Sequence, residues 1–398
     1  MIMVNKKFAL VVPNNRLLRK EFCESYFRNF VNYKHDLSNI LLIVVDDYSP
    51  FLNENQKVLE SCGIPFEYWT IDSQINFFKD NFGSNWEKYW SVIPHRTDAC
   101  RSFGYIIAAL WGADVIITLD DDNYAINNDN LIPDYDYLGC HDVVSSEVSS
   151  LEVSSTSKWF NTIALLKTEP EKNLYARGYP YSRRYGELKY NKCNCRVVMN
   201  VGLWINNPDV DSITVLSEGS INGLPKTRTV GFKSNLKRVV LAKGTYAPLN
   251  TANTAYSREL LPVIYDTFQG AKVGELKLDR FGDIWCNLFI QKVLEGIGRG
   301  RIMIGLPLVE HRREPRYTFI DFKKEFWGII WSEKLFEVIE KIHIRSKSYT
   351  DAYIKLIDNL REKFHKNVDI PSLRKYFTKL FNSMERWIEL LEKLGLIN

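Results

Sequence analysis

The sequence predicts an α/β fold, a parallel sheet covered by helices on both faces, followed by a helical appendage. Three observations predict it. Short β-branched runs at Phe8–Val12, Ile40–Val45 and Val115–Leu119 alternate with helix-like segments at Arg19–Val31, Glu54–Ser61 and Arg101–Trp111, the βαβ pattern of a doubly covered sheet. Each strand run ends in polar residues: Pro13-Asn14-Asn15, Asp46-Asp47 and Asp120-Asp121-Asp122. Near the C-terminus, Leu373, Phe377, Leu380, Met384, Trp387, Leu391 and Leu394 alternate steps of four and three, a heptad seam.

The first run, Phe8–Val12, follows Lys6 and Lys7 and stops at Pro13, too short for a signal peptide and right for a first strand. The apolar stretch Tyr105–Leu119 is broken by Gly112 and Asp114 and runs into three aspartates, so it does not span a bilayer. From about residue 140 to 260 the pattern turns irregular, with a Ser-rich stretch at Ser145–Ser157, and reads as long loops and short strands forming an acceptor half. Gly282–Ile290 begins a helix, and Ile302–Val309 is a short strand that delivers His311 to its far end. Tyr353, Ile357, Leu360 and Phe364 repeat the seam one helix earlier, giving two antiparallel helices. These either pack on the main domain or form a subunit interface that makes a homo-oligomer.

Composition narrows the function. With 45% hydrophobic residues in 398, a large packed core is assured. The 52 basic and 48 acidic side chains nearly cancel, so no global field draws the chain to nucleic acid or an anionic membrane. Seven cysteines without a repeated spacing suit a reducing, cytoplasmic compartment; Cys193-x-Cys195 lacks a second pair to complete a tetrahedral zinc site.

Thr118-Leu-Asp-Asp-Asp-Asn123 is the strongest chemical signal. In open α/β sheets the ligand crevice lies at the carboxyl ends of strands, where a strand-terminal Asp-x-Asp can hold a divalent cation on the two phosphates of a sugar nucleotide. Asp120 and Asp122 are the expected ligands, with Asp121 on the ribose or behind the metal. Asn14, Asp46 and Asp47 end the neighbouring strands, and the two aspartates suit a ribose or base N–H as well as a turn cap. Arg101, opening a helix just after Asp98, is a candidate for pairing with phosphate.

These segments resemble the reversibly glycosylated polypeptides, which include the plant UDP-arabinopyranose mutases. The resemblance rests on Asp98-Ala-Cys-Arg-Ser-Phe-Gly-Tyr105, Asp120-Asp-Asp122, Arg177-Gly-Tyr-Pro-Tyr-Ser-Arg-Arg184, Val201-Gly-Leu-Trp-Ile-Asn206 with Pro208-Asp209, and Lys243-Gly-Thr245. It continues through Arg280-Phe-Gly-Asp-Ile-Trp285, Gly305-Leu-Pro307, His311 and Lys324-Glu-Phe-Trp-Gly-Ile-Ile-Trp331. Order and spacing hold over roughly residues 8–335, leaving the helical tail outside.

The resemblance implies a GT-A (Rossmann-like, nucleotide-sugar-binding) fold, a UDP-sugar substrate, a divalent metal (manganese or magnesium) and reversible sugar attachment at Arg177, with Arg184 as the second important arginine. The sequence departs from the family at Asn123 (cysteine there), Gly282 (a second aspartate) and Tyr185 (glutamate), and carries extra residues around Leu188–Arg196. Asp283, at a helix start, suits a base or a hydroxyl acceptor, or else an N-cap. His311 follows a strand and a Pro-containing turn and is expected to complete the metal sphere.

The expected organisation is a GT-A-type domain at residues 1–332 and a helical region at 333–398. The expected activity is UDP-sugar chemistry of the mutase or self-glycosylating kind. Two readings compete: a transferase giving the sugar to a separate lipid or glycan acceptor, and a sugar-nucleotide-binding scaffold without turnover.

Overall fold

The computed structural model describes residues 6–397, apart from the side chains of residues 365–367. Its first half is the βαβ unit that the apolar runs require. β1 (Phe8–Asn14), α1 (Lys20–Asn32), β2 (Ile40–Asp46), α2 (Leu52–Glu60), β3 (Phe66–Trp69), α3 (Ile71–Phe82), α4 (Trp86–Trp90), α5 (Arg101–Trp111) and β4 (Val115–Leu119) follow in order. β1 pairs in parallel with both β2 and β4, and β2 with β3. The chain therefore reverses direction along the sheet on either side of β1, and the crevice opens at the ends of β1 and β4. α5 lies close over this part of the sheet because Gly104 carries no side chain: a Cβ there would meet Val11 Cγ1 at 2.4 Å.

The second half is β5 (Asn123–Ala125), α6 (Tyr137–His141), β6 (Glu147–Ser155), β7 (Leu166–Glu169), β8 (Leu188–Asn206), α7 (Ser212–Ser217), β9 (Arg228–Phe232), β10 (Arg238–Leu241), β11 (Asn253–Ser257), β12 (Ala271–Val273), β13 (Leu276–Leu278), α8 (Gly282–Ile297) and β14 (Arg301–His311). Apart from β12 and β13, which make a two-stranded sheet of their own, its strands extend the same sheet, in the order β3-β2-β1-β4-β11-β8-β6-β10-β14-β5 with β7 and β9 branching from β8. The region expected to be mostly loop is thus more regular than its sequence suggests. Ser145–Ser157 contains β6, which pairs antiparallel with the first half of the 19-residue β8, and the extra residues Leu188–Arg196 are that half, Cys193 and Cys195 included. Serines interspersed with Val148, Leu151 and Val153 make a strand held between β8 and β10, and that pairing supplies what side-chain hydropathy does not.

α9 (Thr318–Lys341), α10 (Tyr349–Asn367) and α11 (Pro371–Lys393) complete the chain. α9 runs unbroken through residues 332–333, so no linker separates the two regions expected from sequence; Trp331, Leu335 and Phe336 bury on either side of that point. The heptad seam is filled by its own chain. Leu373, Phe377, Leu380, Met384, Trp387 and Leu391 are buried, Trp387 Nε1 donates to the Leu261 carbonyl at 3.1 Å, and Phe377 stacks on Trp285 of α8 with ring centres 5.9 Å apart. Of the two alternatives for the tail, packing on the body is the one the structure shows: all of the seam but the partly buried Leu394 is covered by the chain's own core. All seven cysteines are free, and no helix among the described residues is long and apolar enough to cross a membrane.

Candidate functional site

At the carboxyl ends of β1 and β4 two adjoining cavities, of about 500 and 190 Å³, share Asp98, Asp120 and Asp122 on their walls. Sheet register brings His311 to them. β5 begins one residue after Asp122 and pairs antiparallel with the end of β14, placing His311 opposite Asn123, and the Arg312 N–H donates to the Asp122 carbonyl at 2.8 Å. His311 Nδ1 lies 2.7 Å from the Asn207 carbonyl, which makes it the donor and leaves Nε2 as a free lone pair. Nε2 faces Asp122 Oδ1 at 3.8 Å. The same oxygen accepts from Asn123 Nδ2 at 3.2 Å.

The other two aspartates have partners already. Asp120 accepts from Arg101 at 2.5 Å. Desolvation in the cleft, offset by Arg101 and reinforced by Asp122, pushes its carboxyl up to about 6. Asp121 is clamped by Arg16, with Nε at 2.8 Å, and receives Asn14 Nδ2 at 3.4 Å. Arg16 also reaches Asp122 at 3.4 Å. Sequence reasoning passed over Arg16; its only signal was its place just after the first strand.

Arg101 is a correction. Its side chain has no exposure, and its donors go to Asp120, Thr118 Oγ1 (2.7 Å) and the carbonyls of Thr251 (2.9 Å) and Asp98 (3.0 Å), with Asp266 at 3.3 Å. Four of its five N–H groups are taken, the fifth faces Asp98 Oδ2 at 3.8 Å, and the side chain lines neither cavity; Arg101 is the strut that aims Asp120. Asp46 is corrected too. It is buried, accepts from Tyr68 Oη at 3.0 Å and from the Ser49 N–H at 3.2 Å, and lines neither cavity, so its turn-capping alternative holds. Asp47 does line the smaller cavity. One of its oxygens accepts from the Thr97 N–H at 2.8 Å, and the other is buried without a hydrogen-bond partner, 3.6 Å from His95 Nδ1.

Arg177 lies on the wall of the larger cavity, so the structure brings it together with the aspartates. Its backbone N–H donates to the Asp209 carbonyl at 2.9 Å, and the left-handed turn at Gly178 (φ +83°) then lets the chain pass Ile284, which a Cβ would strike at 2.7 Å. Its guanidinium is gripped by two carboxylates: Nε meets Asp209 at 2.9 Å and a terminal nitrogen meets Asp283 at 3.0 Å. Burial pulls the guanidinium toward neutrality, but Asp209 and Asp283 outweigh it and hold the charge. Asp283 is itself pushed up by burial, against Arg177. Asp283 is in the first turn of α8 but makes no N-cap bond. Asp209, Arg280 and Lys324 stood in the motifs without a role; all line this cavity, with Arg313 and Arg316.

Arg184 is not with them. The short turn at Tyr181–Arg183 carries it onto a different cavity, its guanidinium 3.6 Å from the Tyr181 ring centre and 4.6 Å from that of Tyr175. The expectation that it shares Arg177's site is corrected. Gly282, the family's second aspartate position, has no room for a side chain, since a Cβ would sit 2.5 Å from the Thr267 carbonyl oxygen. Tyr185 is 73% exposed.

A mixed sheet whose parallel half ends in an acidic triplet, facing a histidine and a carboxylate-gripped arginine, defines an enzyme of the GT-A glycosyltransferase type. Within that class the chain belongs to the reversibly glycosylated polypeptide family, whose model matches residues 27–396 and so takes in the helical tail. A probable UDP-arabinopyranose mutase 2 of Solanum tuberosum is 29% identical over 308 residues, 77% of this chain and 74% of that protein. A probable UDP-arabinopyranose mutase 4 of Arabidopsis thaliana is 26% identical over 389 residues, 97% of this chain and 90% of that one. Among solved structures, glucosyl-3-phosphoglycerate synthase of Mycobacterium tuberculosis, with Mn2+ and UDP, covers 89% of this chain at a TM-score of 0.35 and 10% identity.

Proposed function

We propose that the protein is a metal-dependent UDP-sugar mutase of the self-glycosylating kind, holding the sugar on Arg177 while its ring form changes. The observation that carries this reading is the grip of Asp209 and Asp283 on Arg177 in the cavity that Asp122 and His311 also line. The names of the relatives agree with it.

Among the described residues no group of three or more His, Cys, Asp or Glu side chains is placed to hold a metal ion by itself. Asp122 and the free Nε2 of His311 nevertheless fit a half-site of a hard or borderline cation, completed by diphosphate oxygens. Asp120, tied to Arg101, would stand behind it. When bound, such an ion neutralises charge on the leaving diphosphate. The chain's own residues do the rest. Lys324 and the arginines Arg280, Arg313 and Arg316, which are held on the buried carboxylates Asp321 and Glu325, are the cations of the cavity wall that would meet the phosphates, and Asp47 offers an unpartnered oxygen for a base or ribose N–H or O–H.

At Arg177 the bond between the anomeric carbon and phosphate oxygen breaks, a carbon–nitrogen bond forms, and a guanidinium proton passes to Asp283. Asp283, 3.0 Å from a terminal nitrogen, is placed to take that proton once the carbon–nitrogen bond has formed and loosened the guanidinium's hold on it. While the sugar is held, the bond from C1 to the ring oxygen breaks, leaving a carbon–nitrogen double bond and a hydroxyl that takes up a proton; a different sugar hydroxyl then bonds C1 and gives up its proton, and reversal of the attachment returns the new ring form to the diphosphate. The test is to incubate the protein with radiolabelled nucleotide sugars and metal, then map label by peptide mass spectrometry. A pentose or hexose increment on the peptide containing Arg177, removed by excess UDP, supports the mutase. Label in a separate acceptor, with none on protein, replaces it with the transferase.

A further inference from the structure

Away from the Arg177 site lies a second cavity of about 440 Å³ that shares no lining residue with it, and we propose that it binds a sugar phosphate. The volume lies in the range of small-molecule sites. Buried Trp159, Leu174 and Tyr179, with Tyr175 beside them, give it an apolar, ring-faced wall of the sort on which a sugar stacks.

The polar side of the cavity calls for an anion. Arg184 carries two nitrogens, Nε and one terminal nitrogen, that are buried with no hydrogen-bond partner. The nearest carboxylate, Asp211, stands 3.8 Å off, and its oxygens already accept from Tyr181 Oη at 2.9 Å and the Thr214 N–H at 2.7 Å. Those two nitrogens are enclosed on the Asp211 side, so a ligand in the cavity meets Arg184 through its other terminal nitrogen, which makes no hydrogen bond and carries the charge that a phosphate oxygen neutralises. Lys167, Lys172 and Lys233 line the same cavity with one carboxylate, Glu171; Lys167 and Lys233 meet only the exposed Glu169 and Glu171, at 3.3 and 3.9 Å, contacts that solvent leaves weak. An aromatic wall alone would suit a neutral sugar and the cations alone a bare phosphate; the two together select the sugar phosphate.

The assignment stands apart from the mutase reading, and calorimetry separates them. Full-length protein is titrated with glucose 6-phosphate and ribose 5-phosphate, and with glucose and inorganic phosphate as controls, both without and with saturating UDP and Mn2+ to fill the first cavity. At least one sugar phosphate is expected to bind equally in both conditions, tenfold or more tighter than glucose or phosphate. Arg184→Gln is expected to weaken that binding at least tenfold, and Ala164→Trp, at an exposed wall position, to abolish it while the circular dichroism spectrum and melting temperature stay unchanged. No binding of either sugar phosphate, displacement by UDP, equal affinity for inorganic phosphate, or retained affinity in a folded Ala164→Trp variant overturns the proposal.

Discussion

His311 reaches Asp122 through backbone register: the strand bearing the histidine is zipped to the three-residue strand that starts directly after the aspartate, and their side chains meet at 3.8 Å. The Asn207 carbonyl then fixes which ring nitrogen faces the carboxylate. Replacing His311 or Asp122 by Ala is therefore expected to weaken Mn2+-dependent UDP binding by about tenfold to a hundredfold, the range seen when metal shells are disturbed. Calorimetry with and without chelator checks it; chelator-insensitive affinity in the unmodified protein would remove the metal role.

Acidity should act through Asp120. Its carboxyl is pushed up to about 6, so it is charged at pH 7.5 and neutral at pH 5. Metal-dependent nucleotide affinity is expected to be full above about pH 7 and to fall as pH drops through 6, because the neutral acid no longer attracts a cation. Titrations from pH 5 to 8 read this directly. In Asp120→Asn the step near pH 6 should vanish.

Arg177 and its two carboxylates should behave as a unit. Arg177→Ala is expected to abolish sugar labelling, and Arg177→Lys not to restore it, since one ammonium does not span both Asp209 and Asp283. Asp283→Asn should cut the labelling rate roughly 10²-fold or more, as loss of a general base does, with UDP affinity little changed. A variant that labels at the normal rate would exclude Asp283 as proton acceptor.

The tail should be inseparable from the body. Trp387→Ala removes a fully buried ring and its bond to the Leu261 carbonyl, at a cost of about 3–5 kcal/mol read from denaturant unfolding. Truncation after Asp369 deletes α11 and strips the cover from Trp285 and Tyr265, so the shortened chain is expected to lose cooperative unfolding and nucleotide binding together.

Gly282→Asp, which installs the residue other family members carry, should destabilise this chain by roughly 1–3 kcal/mol, the usual range for overpacking. The clash is with the Thr267 carbonyl at 2.5 Å, which no rotamer avoids. A melting temperature equal to that of the parent would show that the local backbone yields.

The parallel half was legible because hydropathy alone encodes it. The runs at Phe8, Ile40 and Val115 begin the observed strands, and Arg101–Trp111 is the observed helix. The ribbon of β6 and β8 was not, since exposed Ser, Lys and Asn carry little periodicity and their strand character comes from pairing. At the site, the acidic triplet and Arg177 were readable from residue type and motif. Arg101 misled because an arginine that braces a carboxylate and one that binds phosphate look the same in sequence; burial separates them. Arg184 misled for a related reason. Seven residues on from Arg177, it shares a motif with it but not a cavity, because the turn between them sends the two side chains to different faces.

The joining of β5 to β14 also bears on how such a chain tolerates change. Between Ala125 and Arg301 the polypeptide can gain or lose loop residues without disturbing the Asp122–His311 pair, because the pair is set where the three-residue β5 locks onto the end of β14. Within those strands the opposite holds: one inserted residue ahead of His311 would turn the imidazole to the far side of the sheet. Length variation among natural relatives should accordingly crowd into the intervening loops and spare the few residues on either side of the lock, making spacing there a sharper mark of a working site than overall identity.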